Sequence, residues 1–105
     1  MYIEEAHPTD GWMYQAVRHH VAQHTTLAER CDAAQLLAAE LGVLDAPDVP
    51  LVVDGLDNRA SLAYGALPER LVILQEGTVV FIGGKGPEEY SIEAARRALE
   101  QLLAG

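Results

Sequence analysis

The stretch Thr26-Leu27-Ala28-Glu29-Arg30-Cys31-Asp32-Ala33-Ala34-Gln35-Leu36-Leu37-Ala38-Ala39-Glu40-Leu41-Gly42 decides how the chain is read. Thr26 followed three residues later by Glu29 is a capping box, in which each side chain satisfies a backbone N–H of the opening turn. Leu27, Cys31, Ala34, Leu37, Ala38 and Leu41 then recur at spacings of three and four, which predicts an amphipathic helix with these six on its buried face. Gly42 is its stop.

Working outward, Tyr2 to His7 reads as a short strand that ends at His7-Pro8, because a residue before proline is pushed to extended geometry. Pro8-Thr9-Asp10-Gly11 makes a turn, and residues 12 to 24, with His19, His20 and His24, form an irregular connection. Beyond the helix, Pro50 opens a buried strand, Leu51-Val52-Val53, which Asp54-Gly55 ends. A weak helical stretch runs from Asn58 to Tyr64, and Leu67-Pro68-Glu69-Arg70 leads into a strand from Leu71 to Leu74. Glu76-Gly77 separates that strand from Thr78 to Ile82, a spacing that suits a tight antiparallel hairpin. The loop Gly83 to Pro87 closes it. Ser91 caps a last helix whose apolar face is Ile92, Ala95, Leu99, Leu102 and Leu103. The order is that of an α/β domain with a mixed sheet and helices on its faces, in which a right-handed crossover makes segments 2–7 and 50–54 a parallel pair.

Composition narrows the function. A chain of 105 residues fits one domain, and 50% hydrophobic against 22% charged residues is the balance of a globular protein. Sixteen acidic residues against seven basic ones give a formal charge of −9, so phosphate neutralisation cannot drive binding and nucleic acid is excluded as a partner. The longest apolar runs, Leu71 to Leu74 and Val79 to Ile82, fall far short of the roughly 20 residues of a membrane-spanning helix. No export signal is evident, and a cytoplasmic location is expected. Cys31 is the only cysteine, which rules out an internal disulfide, a CxxC pair and a cysteine-based zinc site. Its place on the apolar stripe predicts a buried, inert thiol. No regular element gathers His19, His20 and His24, so no metal site is expected, and the loop Gly83 to Gly86 lacks phosphate-cradle spacing.

The run Tyr2-Ile3-Glu4-Glu5-Ala6-His7-Pro8-Thr9-Asp10-Gly11-Trp12 resembles the strand signature of the iodothyronine deiodinases. Four further blocks stand in that family's order: His24 to Cys31, Pro50 to Asn58, Tyr64 to Gly77 and Gly83 to Tyr90. The resemblance implies a thioredoxin-like fold with a peroxiredoxin-type insertion. It also implies reductive removal of iodine from an iodothyronine or a related halogenated aromatic: a selenolate attacks the iodine, a proton replaces it on carbon, and a thiol reductant regenerates the enzyme. No other cofactor is implied. The nucleophile, selenocysteine or cysteine, belongs upstream of the Tyr-Ile-Glu-Glu run.

The expected site follows. Residues two apart in a strand share a face, so Glu5 and His7 project together at roughly 6 to 7 Å and can couple their protonation. The resemblance assigns them a proton relay, with Tyr2 also taking part, although strand parity puts Tyr2 on the opposite face. An exposed Glu/His pair at a strand end is the plainer alternative. By the same resemblance His24 and Arg70 clamp the two ends of the substrate, imidazole to a phenol and guanidinium to a carboxylate. A residue leading into the helix and a surface ion pair are their plainer readings. Pro68 falls where the thioredoxin-like fold places a cis proline.

The resemblance also implies that the domain is N-terminally incomplete, lacking the first strand and helix, with the coding frame extending upstream through a selenocysteine codon. Two inner strands would then be unpaired edges. The isolated chain is expected to be marginal and inactive alone, and to pair as a homodimer. A catalytically inactive thioredoxin-like binding module, or a thiol or peroxide reductase on the same scaffold, remains the alternative.

Overall fold

A computed structural model describes residues 1–11, 21–43 and 46–105. The chain is mixed α/β, with α1 at Leu27–Leu41, α2 at Arg59–Tyr64, β1 at Val72–Gln75, β2 at Thr78–Ile82 and α3 at Ile92–Ala104. It divides into two compact units, Met1–Tyr64 and Gly65–Gly105.

In the first unit, α1 has the predicted bounds and caps. Thr26 Oγ1 accepts from Glu29 N at 3.1 Å, while the Glu29 carboxylate reaches back to Thr25, taking its N–H at 3.1 Å and its hydroxyl at 2.5 Å. These bonds hold the Glu29 carboxyl below its ordinary value, the Thr25 hydroxyl contributing most. At the other end Gly42 adopts φ 67°, and its N–H and that of Val43 bond to Ala39 O and Ala38 O. This is the Schellman arrangement that satisfies the last carbonyls. Replacing Thr26 by alanine should cost about 1 kcal/mol in urea denaturation, because one first-turn N–H loses its acceptor.

The face that α1 buries is not the predicted one. Arg30, Ala33, Ala34 and Ala38 are buried, whereas Leu27 and Leu41 are exposed and Cys31 is an exposed free thiol. The predicted stripe is therefore corrected by a rotation that exchanges Cys31 for Arg30. Alanines fill enough of the helix that apolar spacing hardly distinguishes one phase from the next, and the hydrogen-bonding demand of a guanidinium settles it.

The strands expected at 2–7 and 51–53 are also corrected, to a single parallel bridge between Tyr2 and Val53. Tyr2 N donates to Val52 O at 2.7 Å and Asp54 N to Tyr2 O at 2.8 Å. Further along, the Gln23 carboxamide pairs with the backbone of Glu5: Glu5 N donates to Gln23 Oε1, and Gln23 Nε2 to Glu5 O, both at 3.0 Å. One side chain thus does at Glu5 what a neighbouring strand would do. Val52 is exposed, against the buried strand expected. The turn at residues 8–11 forms as read, with Gly11 N bonded to Pro8 O.

In the second unit β1 and β2 form the predicted antiparallel hairpin. Glu76 and Gly77 both take positive φ, 51° and 78°, the pair of left-handed residues that a two-residue turn matched to strand twist requires. The register runs Ile73 to Phe81 and Leu74 to Val79, leaving Val80 as a bulge. α3 starts on Ser91, whose hydroxyl accepts from Ala94 N at 3.0 Å, and packs against β1. On its apolar face Ala95 and Leu102 are half-buried, but Ile92, Leu99 and Leu103 are exposed. Leu67-Pro68 is cis, as is Gly86-Pro87. Among the described residues no helix is long and apolar enough to cross a membrane.

Candidate functional site

Among the described residues of the first unit, more polar than apolar side chains are buried. Beside three alanines of α1 lie His24, Arg30, Asp54 and Ser61, so side-chain hydrogen bonds do much of the work that a larger apolar core would do.

Arg30 is the hub. It is only 2% exposed. Its Nε donates to His24 Nδ1 at 3.0 Å, and its Nη1 meets Gly55 O at 2.7 Å, Asn58 Oδ1 at 3.0 Å and Asp54 O at 3.4 Å. Asn58 takes a left-handed φ of 56° just ahead of α2, a conformation that asparagine tolerates better than most residues. Its amide in turn donates to Glu4 Oε2 at 3.3 Å. Asp54 ends the bridged segment and caps α2 from a distance: Oδ1 accepts from Ala60 N at 3.0 Å and Oδ2 from Ser61 N at 2.9 Å. Burial works to raise the Asp54 pKa, but the N–H groups of Ser61, Ala60 and Gly55 and the Arg30 charge together outweigh it, and the carboxyl is held below its ordinary value.

On the other side of His24 stand two of the predicted relay residues. Tyr2 Oη donates to Glu5 Oε1, and His24 Nε2 lies 3.3 Å from Tyr2 Oη and 3.4 Å from Glu5 Oε1. The Tyr2 and His24 rings are tilted against each other, centroids 5.5 Å apart. Burial pushes the Glu5 carboxyl above its ordinary value of 4.5, and the attraction and hydrogen bond of His24, followed by the charge of Arg30, only partly offset this. Tyr2 and Glu5 open onto a depression of about 410 Å³ walled by Val21, Ala33, Leu36, Leu37 and Glu40. Chemically this is a carboxyl able to hold a proton, beside a phenol and an imidazole able to pass one.

The placement of the sequence-predicted residues is thus mixed. Tyr2, Glu5 and His24 converge, although parity had put Tyr2 opposite Glu5; that argument is corrected because the segment after Tyr2 is not a strand. His7 is half-buried two residues beyond Glu5. Arg70 belongs to the second unit, where Nε donates to Gly83 O at 2.6 Å and Nη1 to Gly65 O at 3.3 Å. His19, His20 and Trp12 lie outside the described residues. Arg30, Asn58 and Asp54 were missed as members of the cluster. For Arg30 the signal was available, since a charged residue at four-residue spacing from Ala34 and Ala38 sits on a helix row that can be buried.

The pH dependence of stability should expose Glu5. An acid whose folded value is raised contributes stability below its ordinary 4.5 that is lost as pH rises through the folded value. Glu5→Gln should therefore flatten the stability profile across that window in urea titrations, and an unchanged profile would contradict the burial argument.

On this α/β scaffold the Glu5 carboxyl and Tyr2 phenol line the depression, with the buried His24 imidazole behind them. The chain matches the family model described as iodothyronine deiodinase over residues 1–103, and it belongs to that family. It is 46% identical over 96% of its length to a thyroxine 5-deiodinase of Gallus gallus, of which it covers 37%. It is 45% identical over its full length to one of Sparus aurata, covering 38%, and 42% identical over 96% of its length to the Homo sapiens protein, covering 32%. The chain thus spans about a third of the length of these relatives.

Proposed function

We propose that this chain forms the proton-handling and substrate-contacting part of a reductive deiodinase on a thioredoxin-like scaffold, with the nucleophile supplied from outside residues 1–105. The observation that carries the reading is the convergence of Tyr2, Glu5 and His24 around a carboxyl whose pKa burial raises. The substrate is an iodothyronine or a related halogenated aromatic. A selenolate or thiolate attacks the iodine and forms a chalcogen–iodine bond, the electron pair of the carbon–iodine bond stays on carbon, and the neutral Glu5 carboxyl supplies the proton that carbon takes up. His7 and Tyr2 return a proton to Glu5. A thiol then displaces iodide from the chalcogen, and a second thiol frees it. His24 contacts the substrate.

The test is iodide release from thyroxine, with dithiothreitol as reductant, by the chain extended to the length of its relatives with selenocysteine or cysteine upstream. Release is expected, and Glu5→Gln should reduce its rate by about 100-fold or more, the usual worth of a positioned proton donor. Thyroxine binding without turnover would instead mark an inactive binding module, and consumption of peroxide without iodide release a peroxide reductase. The same reading includes a homodimer, supported by the exposed Leu74, Val79 and Ile82 of the hairpin. Sedimentation velocity should give twice the chain mass, and a monomer at all concentrations would remove this part.

A further inference from the structure

We propose that Arg30 is a positioning residue that decides which nitrogen of His24 carries the proton, and thereby makes His24 a hydrogen-bond donor toward Tyr2 and Glu5. The argument starts from a valence constraint: an arginine Nε–H donates and cannot accept. It lies 3.0 Å from His24 Nδ1, so that nitrogen must present its lone pair and the proton of the neutral ring resides on Nε2. From Nε2 the next acceptors are Tyr2 Oη at 3.3 Å and Glu5 Oε1 at 3.4 Å, and Tyr2 Oη donates onward to the same carboxylate oxygen. The donors therefore run in one direction, from Arg30 through His24 and Tyr2 to Glu5, and each bond polarises the next.

Arg30 is fixed enough to impose this. Gly55 O, Asn58 Oδ1 and Asp54 O hold Nη1 on the side away from His24. With the side chain 2% exposed, water cannot replace them, and the planar guanidinium fixes Nε once Nη1 is held. A second consequence rests on the proposed reading of His24 as a substrate contact. Whatever takes over Nε2 must offer a lone pair, such as a phenolate, ether or carboxylate oxygen.

The experiment reads the ring directly in the 105-residue chain, labelled with ¹⁵N, at about pH 8, above the ordinary histidine value. Two-bond proton–nitrogen spectra should show His24 Nδ1 with a pyridine-type shift and Nε2 with a pyrrole-type shift, and a nitrogen–nitrogen coupling across the hydrogen bond should link Arg30 Nε to His24 Nδ1. In Arg30→Met the ring should pass to a mixture of tautomers. A protonated Nδ1 or exchanging tautomers in the wild type would overturn the proposal, as would a single Nε2–H form that survives in Arg30→Met. Should that variant not fold, the wild-type coupling decides alone: its presence supports the proposal and its absence overturns it. The measurement involves neither substrate nor turnover, so a failed tautomer assignment leaves the iodide-release test standing, and the reverse also holds.

Discussion

Replacing Arg30 by methionine is expected to destabilise the first unit by about 3 kcal/mol or more, measured as a lower urea midpoint of the helical circular dichroism signal. Methionine keeps most of the volume, so the loss comes from the acceptors left behind. His24 Nδ1, Asn58 Oδ1 and the carbonyls of Asp54 and Gly55 all face the guanidinium, and each buried acceptor left unsatisfied costs about 1–3 kcal/mol. An opposing effect has to be weighed, because a buried charge is itself costly and its replacement by an apolar side chain is sometimes stabilising. That gain requires the partners to be replaced as well, and two of them here are main-chain carbonyls that no substitution removes. The sign is therefore a loss. A change below about 1 kcal/mol would mean that water enters and satisfies the same groups.

Asp54→Ala is expected to cost about 2–4 kcal/mol, because two backbone N–H groups at the start of α2, those of Ala60 and Ser61, lose a charged acceptor together. Ser61 is itself buried, so solvent is a poor substitute. The pH dependence has a definite direction. Because the folded carboxyl sits below its ordinary value of 3.8, its stabilisation is complete above that value and is lost as pH falls through the folded one. Wild-type stability should fall in that acid window and Asp54→Ala should show a shallower fall. Asp54→Asn keeps one acceptor oxygen and should lie between them. Equal acid profiles for all three would show that the two hydrogen bonds are not formed by the ionised carboxylate.

Glu5 titrates in the opposite sense, raised where Asp54 is lowered, although both are carboxyls within the same unit. The difference is local. Asp54 gathers backbone donors, whereas Glu5 loses more to burial than the attraction and hydrogen bond of His24 and the charge of Arg30 return. Shifts in opposite directions keep Asp54 an anion to lower pH and let Glu5 hold its proton to higher pH than an ordinary carboxyl.

Several elements were legible because their signals are local. The Thr26/Glu29 box and Gly42 bounded α1, since capping depends on residues within one turn. Glu76-Gly77 marked the hairpin, since the required positive φ values belong to the turn itself. Ser91 and the spacing after it gave α3. The candidate site was legible only in part: Tyr2, Glu5 and His24 could be singled out through the family resemblance, but the geometry uniting them could not. Gln23 illustrates the reason. Its carboxamide pairs with the Glu5 backbone across 18 positions of sequence, and no period or propensity announces a side chain that stands in for a strand.

Sequence alone was therefore sufficient for the three helices and the hairpin, the excess of acid over base and the membership of a family, because each is a property of neighbouring residues or of their order. The folded chain was needed to choose the phase of α1, to bury Arg30 in place of Cys31, and to bring His24, Asn58 and Asp54 to one guanidinium. Those choices depend on hydrogen-bond partners 6 to 28 residues apart from Arg30. A buried cation is stable only when all its donors are met at once, a condition that only the assembled unit can satisfy.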